Sequence, residues 1–389
     1  MISVFDIKED CCGCTSCQHI CPTKAIEMKP DEEGFLYPEI NQELCNDCGL
    51  CRTVCAFQNG YDISDDFAAP KVYAVKNKHE DVRMASSSGG IFSAISDHIL
   101  DSDGLVSGVA FDENMNVVHK IAATKEERDE FRGSKYVQSE LNHVYSEIKN
   151  LLKQNKAVLF TGTPCQNAGL KSFLDLARVK TENLILCDIV CHGTPSPLLW
   201  KEHVSFLENK NEGKLLQHSF RWKEAGWRGY NVYAAFDNGK SKLNTADVKS
   251  FANIFSSDAA LRPSCHYCRY ANLKRPSDIT IADFWGIEKT MPQFDDNKGI
   301  SLTLINTAKG QKLFEDIKSK IIYRESNTKD CLQRNLQESS KVSEKREQFW
   351  QDYHLRGYEY IVKKYAGYNL KASIKRKVKT ALIKMGLQA

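Results

Sequence analysis

The sequence predicts two unlike parts: a small α+β module organised around cysteines, then a larger α/β domain with a mixed sheet and a helical C-terminal extension. Three observations predict this. Eight of the fifteen cysteines fall into two copies of one run, Cys11-x2-Cys14-x2-Cys17-x3-Cys21 and Cys45-x2-Cys48-x2-Cys51-x3-Cys55. Beyond residue 70, short apolar runs alternate with stretches whose apolar residues recur at helical spacing, the rhythm of an α/β sheet. At 389 residues the chain is also long for one core, so two or three domains are expected.

The cysteine runs have a geometric meaning. A 4Fe-4S cube needs four thiolates around a small inorganic core, so three come from a tight loop and the fourth from elsewhere. In two-cluster ferredoxins the last cysteine of each run serves the other cube. That rule assigns Cys11, Cys14, Cys17 and Cys55 to one cube and Cys45, Cys48, Cys51 and Cys21 to its partner. Pro22 follows Cys21 as the pattern requires, whereas Ala56 follows Cys55 and departs from it. Cys12 is an extra thiol and reads as packing. Zinc sites rarely repeat this spacing through four cysteines, and disulfides need an oxidising compartment.

Residues 1–60 therefore form a ferredoxin-like module, and the polar stretch from Gln58 to Pro70 reads as its linker. Val72–Val75 reads as a strand. Ser86-Ser87-Ser88-Gly89-Gly90 then leads into a helix bearing Ile91, Ile95 and Ile99. Leu105–Phe111 and Val117–Ala122 resemble a hairpin around Asp112–Asn116, and Ser139 reads as the cap of a helix bearing Leu141, Val144, Ile148 and Leu151. Strands follow at Ala157–Phe160 and Leu184–Val190, with helices at Asn167–Leu174 and Pro197–Leu207. Leu215–Trp222 and Tyr230–Phe236 extend the sheet, with Asp237-Asn238-Gly239 as a hairpin turn. Ile279–Phe284 and Ile300–Ile305 are the last strong strands, and residues from about 326 onward read as helical and polar. The larger part thus divides at about residue 150, into 70–150 and 151–325, before the extension 326–389.

The remaining cysteines are less regular. Cys265-x2-Cys268 is half a site, while Cys165 and Cys191 each follow a predicted strand, where open α/β sheets collect ligands. These four form either a third 4Fe-4S cube, a zinc site or unrelated core thiols. Cys187, inside a strand, and Cys331, in the tail, read as ordinary thiols. The Ser86–Gly90 loop offers backbone N–H groups at a helix start, where an anion is favoured. Thr161-Gly162-Thr163 is a second short loop after a strand, and the two are expected either to hold a dinucleotide's pyrophosphate between them or to be plain caps. Neither a G-x-G-x-x-G fingerprint nor a P-loop is present.

A net charge of +3 and a pI near 8.1 give no basic footprint for nucleic acid. The acids Asp31-Glu32-Glu33 near the start and the basic last twenty residues form an asymmetry that points to partners. No run of eighteen apolar residues and no signal-like start are found, so a cytoplasmic protein is expected. Ile374, Val378, Ala381, Leu382 and Met385 share one helical face amid Lys371, Lys375, Arg376, Lys377, Lys379 and Lys384. Such a helix either rests on an anionic membrane surface, as a peripheral contact, or packs on protein.

Five ordered motifs carry a resemblance. They are Ser88-Gly89-Gly90, Gly133-Ser134-Lys135-Tyr136-Val137, Gly162-Thr163-Pro164-Cys165-Gln166, Asp188-Ile189-Val190-Cys191-His192-Gly193, and Cys265-His266-Tyr267-Cys268 followed by Ser277–Gly286. With the N-terminal cysteines, over about residues 1–320, the chain resembles the family of coenzyme F420 hydrogenase/dehydrogenase beta subunits. That family also takes in hydroxymethyl-chlorophyll and divinyl-chlorophyllide reductases. The resemblance implies an α+β ferredoxin-like two-cluster domain followed by an α/β flavoprotein domain. It implies bound FAD beside a third 4Fe-4S cube at Cys165, Cys191, Cys265 and Cys268, with Ser88, Gly89, Gly90, Lys135 and Thr163 as FAD contacts. His192 would hydrogen-bond in the second layer or donate a proton, and Asp283 and Trp285 would line the pocket or pack. A flavin converts two-electron chemistry into single-electron steps. The expected function is therefore an oxidoreductase joining an organic reactant to a single-electron carrier such as ferredoxin. The alternative is a non-catalytic relay to a partner enzyme. Substrate, catalytic residues and oligomeric state are not legible.

Overall fold

Alternating apolar residues make Ile26–Pro30 (β1) and Leu36–Ile40 (β2) an antiparallel hairpin. The computed structural model describes residues 3–64, 66–224 and 226–368. It sets this hairpin beside the short helices Ser16–Ile20, Leu50–Thr53 and Ala56–Asn59. So small a module buries little by itself. Its Val4, Ile26 and Val54, with Cys17 and Cys51, share one apolar core with Tyr145, Ile148, Phe160, Leu170 and Phe173 of the larger part. Hydrogen bonds reinforce the docking, from Ser172 Oγ to Val54 O at 2.8 Å and between His19 Nδ1 and Ser146 Oγ at 2.9 Å.

The larger part contains β3 (Lys71–Asn77), β4 (Leu105–Phe111), β5 (Val117–Ala122), β6 (Val158–Gly162), β7 (Leu184–Ile189), β8 (Leu215–Trp222), β9 (Asn231–Phe236), β10 (Ser241–Leu243), β11 (Ile279–Asp283), β12 (Ser301–Ile305) and β13 (Ile321–Ser326). Eight of these form a mixed sheet in the order β13-β3-β12-β11-β7-β6-β4-β5. Neighbours β11, β7, β6 and β4 are parallel, and β3 points the same way because it and β11 are both antiparallel to β12. Five strands therefore end at one edge.

Helices cover both faces, which is why these strands read as continuous apolar runs. Leu159 packs with Ile95 of helix Ile91–Asp101 and Phe314 of helix Ala308–Ile317. Its neighbour Phe160 faces the opposite side, against Tyr145 of helix Val144–Lys153 and Phe173 of helix Pro164–Leu176.

The structure departs from the sequence reading in four places. β8 and β9 do not extend the main sheet; with β10 they form a separate three-stranded sheet, packed on helices Pro197–Asn211, Ser250–Ser256 and Arg346–Tyr365. Ser139 is no helix cap: its hydroxyl meets His119 Nδ1 at 3.0 Å and Gln166 Nε2 at 3.0 Å, and the helix starts at Val144. β13 adds an edge strand beyond Ile305. The extension from 326 is irregular until Arg346, apart from a short turn at Arg334–Leu336. The basic face from Ile374 to Met385 lies outside the described residues.

Helix Ala308–Ile317 approaches the sheet so closely that a Cβ on Gly310 would sit 2.2 Å from the Asp278 carbonyl oxygen. Alanine favours a helix interior by about 1 kcal/mol, but a backbone atom cannot move aside cheaply and overpacking costs about 1–3 kcal/mol. We expect Gly310→Ala to lower the denaturant midpoint, a net loss of up to about 2 kcal/mol.

Candidate functional site

The first cysteine set converges as the spacing requires. Cys11, Cys12, Cys14, Cys17 and Cys55 line one cavity. Burial pushes the Cys17 thiol well up, helped by the neighbouring charges of Cys11, Cys14 and Cys55. Of the second set, Cys21, Cys48 and Cys51 are together, since the Cys51 thiol is raised by burial and then by Cys48 and Cys21. The exchange of last cysteines between the runs is thus present in the geometry. The two sets differ in exposure: Cys14 and Cys17 are buried, whereas Cys48 is exposed, as is Leu44 at the start of its run.

Cys165, Cys191, Cys265 and Cys268 line a second cavity, together with Cys12, Thr163 and His192. The Cys191 thiol is raised by burial and by Cys265, Cys165 and Cys268. Strand geometry explains the convergence. β6 delivers Cys165 on the first turn of the next helix, with a capping box between Thr163 and Gln166. β7 delivers Cys191, and the turn Pro263–Tyr267 supplies Cys265. Thiols crowded into a buried space resist ionisation, and a cationic core is what reverses that resistance. Among the described residues, no group of three or more His, Cys, Asp or Glu side chains is placed to hold a single metal ion. Cys187 and Cys331 are buried elsewhere, in the apolar cores on either side of the sheet.

Cys12 is more than packing. It lines both cavities, and its thiol is pushed well up by Cys14 of the first set and Cys165 of the third, with burial adding to the effect. With Cys55, Cys165 and Cys268 it packs on Ala56, Phe57, Ala168 and Tyr270, so the first and third sets share one apolar wall. The module can come this close because helix Pro164–Leu176 carries Gly169, where a Cβ would lie 2.8 Å from Cys14 Sγ and 2.6 Å from Ser16 Oγ.

The loop Ser86–Gly90 sits at the same sheet edge, after β3. Gly90, at φ 82°, begins helix Ile91–Asp101, whose first turn has no side-chain cap. Ser88 Oγ donates to Ile300 O at 2.7 Å, and Gly89 N donates to Ser301 Oγ at 2.9 Å. Ser134 N donates to Ser87 Oγ at 2.7 Å, bringing Lys135 alongside. Burial lowers Lys135 to about 7, and its ammonium donates to the Glu130 and Arg132 carbonyls. Thr163, however, stands with the third cysteine set, its hydroxyl 3.1 Å from Cys165 Sγ. Strands β12, β11 and β7 separate β3 from β6, about 19 Å at the usual strand spacing. The Ser88 and Thr163 loops therefore do not hold one pyrophosphate between them.

Side chains not singled out from the sequence fill the interval. Arg221 Nη1 donates to Asp283 Oδ2 at 2.7 Å and lies 3.5 Å from the Tyr136 hydroxyl. Lys223, lowered to about 7 by burial, donates to Ser88 O at 2.7 Å and Lys298 O at 2.8 Å. Trp285 stacks on Trp227 and Tyr230, and Asp283 accepts the Trp227 indole N–H at 2.8 Å. Tyr136 stacks on Phe255, which meets His192 edge-on. His192 Nε2 is 2.6 Å from Asp258 Oδ1, so its partner is a carboxylate. The only hint in the sequence was the cationic end of an alternating run, Arg221-Trp222-Lys223. The acids Asp31, Glu32 and Glu33 pair internally, the first two with Lys8 at 2.6 Å each and the third with Arg346.

Compared with known proteins, residues 72–146 and 155–330 match the N-term and C terminus of the family described as coenzyme F420 hydrogenase/dehydrogenase, beta subunit. Residues 10–59 match a 4Fe-4S dicluster domain. The chain is similar to one of the subunits of the F(420)H(2) dehydrogenase of Methanosarcina mazei, 21% identical over 165 residues, 40% of this chain and 46% of that protein. It is also similar to the ferredoxin-type protein NapF of Escherichia coli K12, 40% identical over 42 residues, 11% of this chain and 26% of that one. The chain thus spans less than half the length of these curated relatives. A chain of the F420-reducing NiFe hydrogenase complex from Methanosarcina barkeri aligns with a TM-score of 0.46 at 14% identity, covering 68% of this chain and 84% of that one.

Buried Asp188, near the end of β7, pairs with Arg275 at 3.0 Å, and Arg275 also donates to Tyr270 O at 2.7 Å and Ile189 O at 2.9 Å. This ties the strand before Cys191 to the turn after Cys268. Arg275→Met leaves a buried carboxylate alone and should cost about 3–5 kcal/mol by denaturant midpoint. Adding Asp188→Leu should recover most of it, because the stranded charge is then gone.

Proposed function

We propose a function from the premise that this chain belongs to the family of coenzyme F420 hydrogenase/dehydrogenase beta subunits and carries a 4Fe-4S dicluster domain. It is an iron–sulfur flavoprotein oxidoreductase, coupling a two-electron organic reaction to single-electron transfer. The observation that carries the reading is the file of sites. The set of Cys21, Cys45, Cys48 and Cys51, exposed at Cys48, leads to the set of Cys11, Cys14, Cys17 and Cys55, buried at Cys14 and Cys17. That set shares a wall with Cys165, Cys191, Cys265 and Cys268, which open on the sheet edge bearing Ser88.

Each set of four thiols fits a 4Fe-4S cube, which supplies single-electron capacity. The sheet edge between β3 and β7 fits FAD. The uncapped helix start after Gly90 and the Lys223 ammonium favour its phosphates, and Lys135, Tyr136 and Arg221 line the way toward Cys191. Thr163 moves from that list to the wall of the third set. Asp258 and Asn335 orient His192 beside Cys191, and Arg221 is held by Asp283 at the end of β11. A ferredoxin-type carrier meets the exposed set near Cys48 and Leu44. Among the described residues no helix is long and apolar enough to cross a membrane.

Protein purified without oxygen should release one FAD and about twelve irons per chain, three cubes of four. Cys191→Ser should lose about four of them and Cys331→Ser none. Full iron in Cys191→Ser would sink the third cube. Bleaching of the visible absorbance by a reduced deazaflavin or nicotinamide identifies the enzyme, whereas reduction by ferredoxin alone identifies a relay.

A further inference from the structure

Five arginines in the described structure are buried, and four of them pair with a carboxylate: Arg83 with Asp296, Arg128 with Asp97, Arg221 with Asp283 and Arg275 with Asp188. Arg262 is the exception. It is 1% exposed, and among the described residues no carboxylate pairs with it. Its Nε donates to Cys11 O at 2.8 Å, Nη2 to Leu36 O at 3.0 Å and Nη1 to Gln138 Oε1 at 3.1 Å, while Nη2 lies 3.5 Å from Cys11 Sγ. The guanidinium rests over the Tyr37 ring at 4.1 Å. A buried cation without a counter-charge is strongly disfavoured. The ionisable groups that face Arg262 are the Cys11, Cys12 and Cys265 thiols and the Tyr37 phenol, and Cys11 Sγ is in contact with Nη2.

The loop between the cysteines is shaped around this side chain. Gly13 holds φ 71°, and a Cβ there would lie 2.9 Å from Arg262 Nη1 and 2.6 Å from Gln138 Nε2. Gln138 Nε2 also donates to Cys12 O at 3.3 Å. The backbone of Arg262 meanwhile leads straight into the turn that carries Cys265, with Cys265 N donating to Arg262 O at 2.9 Å. One residue thus reaches the first set with its charge and the third set with its chain.

We propose that Arg262 is the fixed counter-ion of the cube held by Cys11, Cys14, Cys17 and Cys55, and that its charge raises that cube's reduction potential. The inference rests on the iron–sulfur part of the proposed function. Reduction moves one electron from an external ferredoxin-type donor to the cube. The cube becomes one unit more negative, the donor one unit less, and no bond or proton changes. A cation at contact distance favours the more negative state, and net charge and hydrogen bonds to sulfur are what set such potentials. Arg262 is a positioning residue for electrons, making the inner cube the place where an arriving electron rests.

The test is an EPR-monitored redox titration of the full chain, assembled with its clusters under argon. Arg262→Gln should lower the midpoint of one N-terminal cube so that, at the native midpoint, its reduced-to-oxidised ratio falls about tenfold, which is 59 mV for one electron. The cube of Cys21, Cys45, Cys48 and Cys51 should keep its midpoint. Arg262→Lys should restore most of the shift. Gln138→Glu, isosteric and aimed at Nη1, should neutralise the charge in place and move the same midpoint the same way. Unchanged midpoints in both Arg262→Gln and Gln138→Glu at full iron content overturn the proposal. Iron loss that Arg262→Lys repairs supports it; iron loss that lysine fails to repair marks a packing role and overturns it. Native chain lacking both N-terminal cubes would instead sink the iron–sulfur reading itself.

Discussion

The close contact between Cys14 with Ser16 and the glycine face of helix Pro164–Leu176 is the constraint on which the rest depends. A side chain at Gly169 would hold the small module away by the width of a methyl group or more. With glycine there, Cys12 sits between Cys14 and Cys165, and the buried thiol sets come to share the wall of Ala56, Phe57, Ala168 and Tyr270. The module needs this contact for stability too. A two-stranded hairpin and three short helices cannot close a core, so Val4, Ile26 and Val54 borrow one from the sheet's outer helices. One interface therefore supplies the apolar burial that orders the module and the proximity that makes its thiols part of a file.

What was legible in the sequence was whatever is encoded locally. Three-residue cysteine spacing states its own geometry, and the structure sets Cys55 with Cys11, Cys14 and Cys17, and Cys21 with Cys48 and Cys51. Continuous apolar runs identified β3, β4, β6, β7, β11 and β12, because strands covered on both faces have no polar side. Period and composition do not say which sheet a strand joins. β8 and β9 looked like extensions of the main sheet, yet Trp200, Phe220 and Phe251 draw them into a separate core. The Ser88 and Thr163 loops look alike as helix starts, and only strand order reveals three strands between them. Ser139 resembles a cap because a hydroxyl before an apolar helix usually is one, but His119 and Gln166 compete for it and win. Arg262 was invisible for a plainer reason. A lone arginine in a sequence carries no mark of burial, and its partners lie more than a hundred residues away.

The charges at the site follow one pattern. Arg221 and Arg275 are each neutralised by an aspartate at the sheet edge, so their role is to hold strand ends in place. Lys135 and Lys223 are held by backbone carbonyls, and burial pushes both ammonium groups toward neutrality near pH 7. Arg262 cannot respond in that way, because a guanidinium keeps its proton in protein. The permanent buried charge without a carboxylate therefore falls against the innermost sulfurs, while the cations whose charge can adjust stand where the organic reactant is proposed to bind.

The parallel run of β3, β11, β7, β6 and β4 accounts for why all of these groups meet. Strand ends that point the same way place every following loop on one edge, so thiols from β6 and β7, the Asp283–Arg221 pair from β11 and the uncapped helix after β3 lie along that edge without any of them being near in sequence. The antiparallel β12 interrupts that series once, between β3 and β11, and thereby sets the spacing between the Ser88 loop and the third cysteine set. It adds one strand spacing, about 5 Å, to an edge that spans about 19 Å from β3 to β6. That width separates the Ser88 loop from the thiols that follow β6 and β7, and it is the dimension along which the proposed dinucleotide would lie.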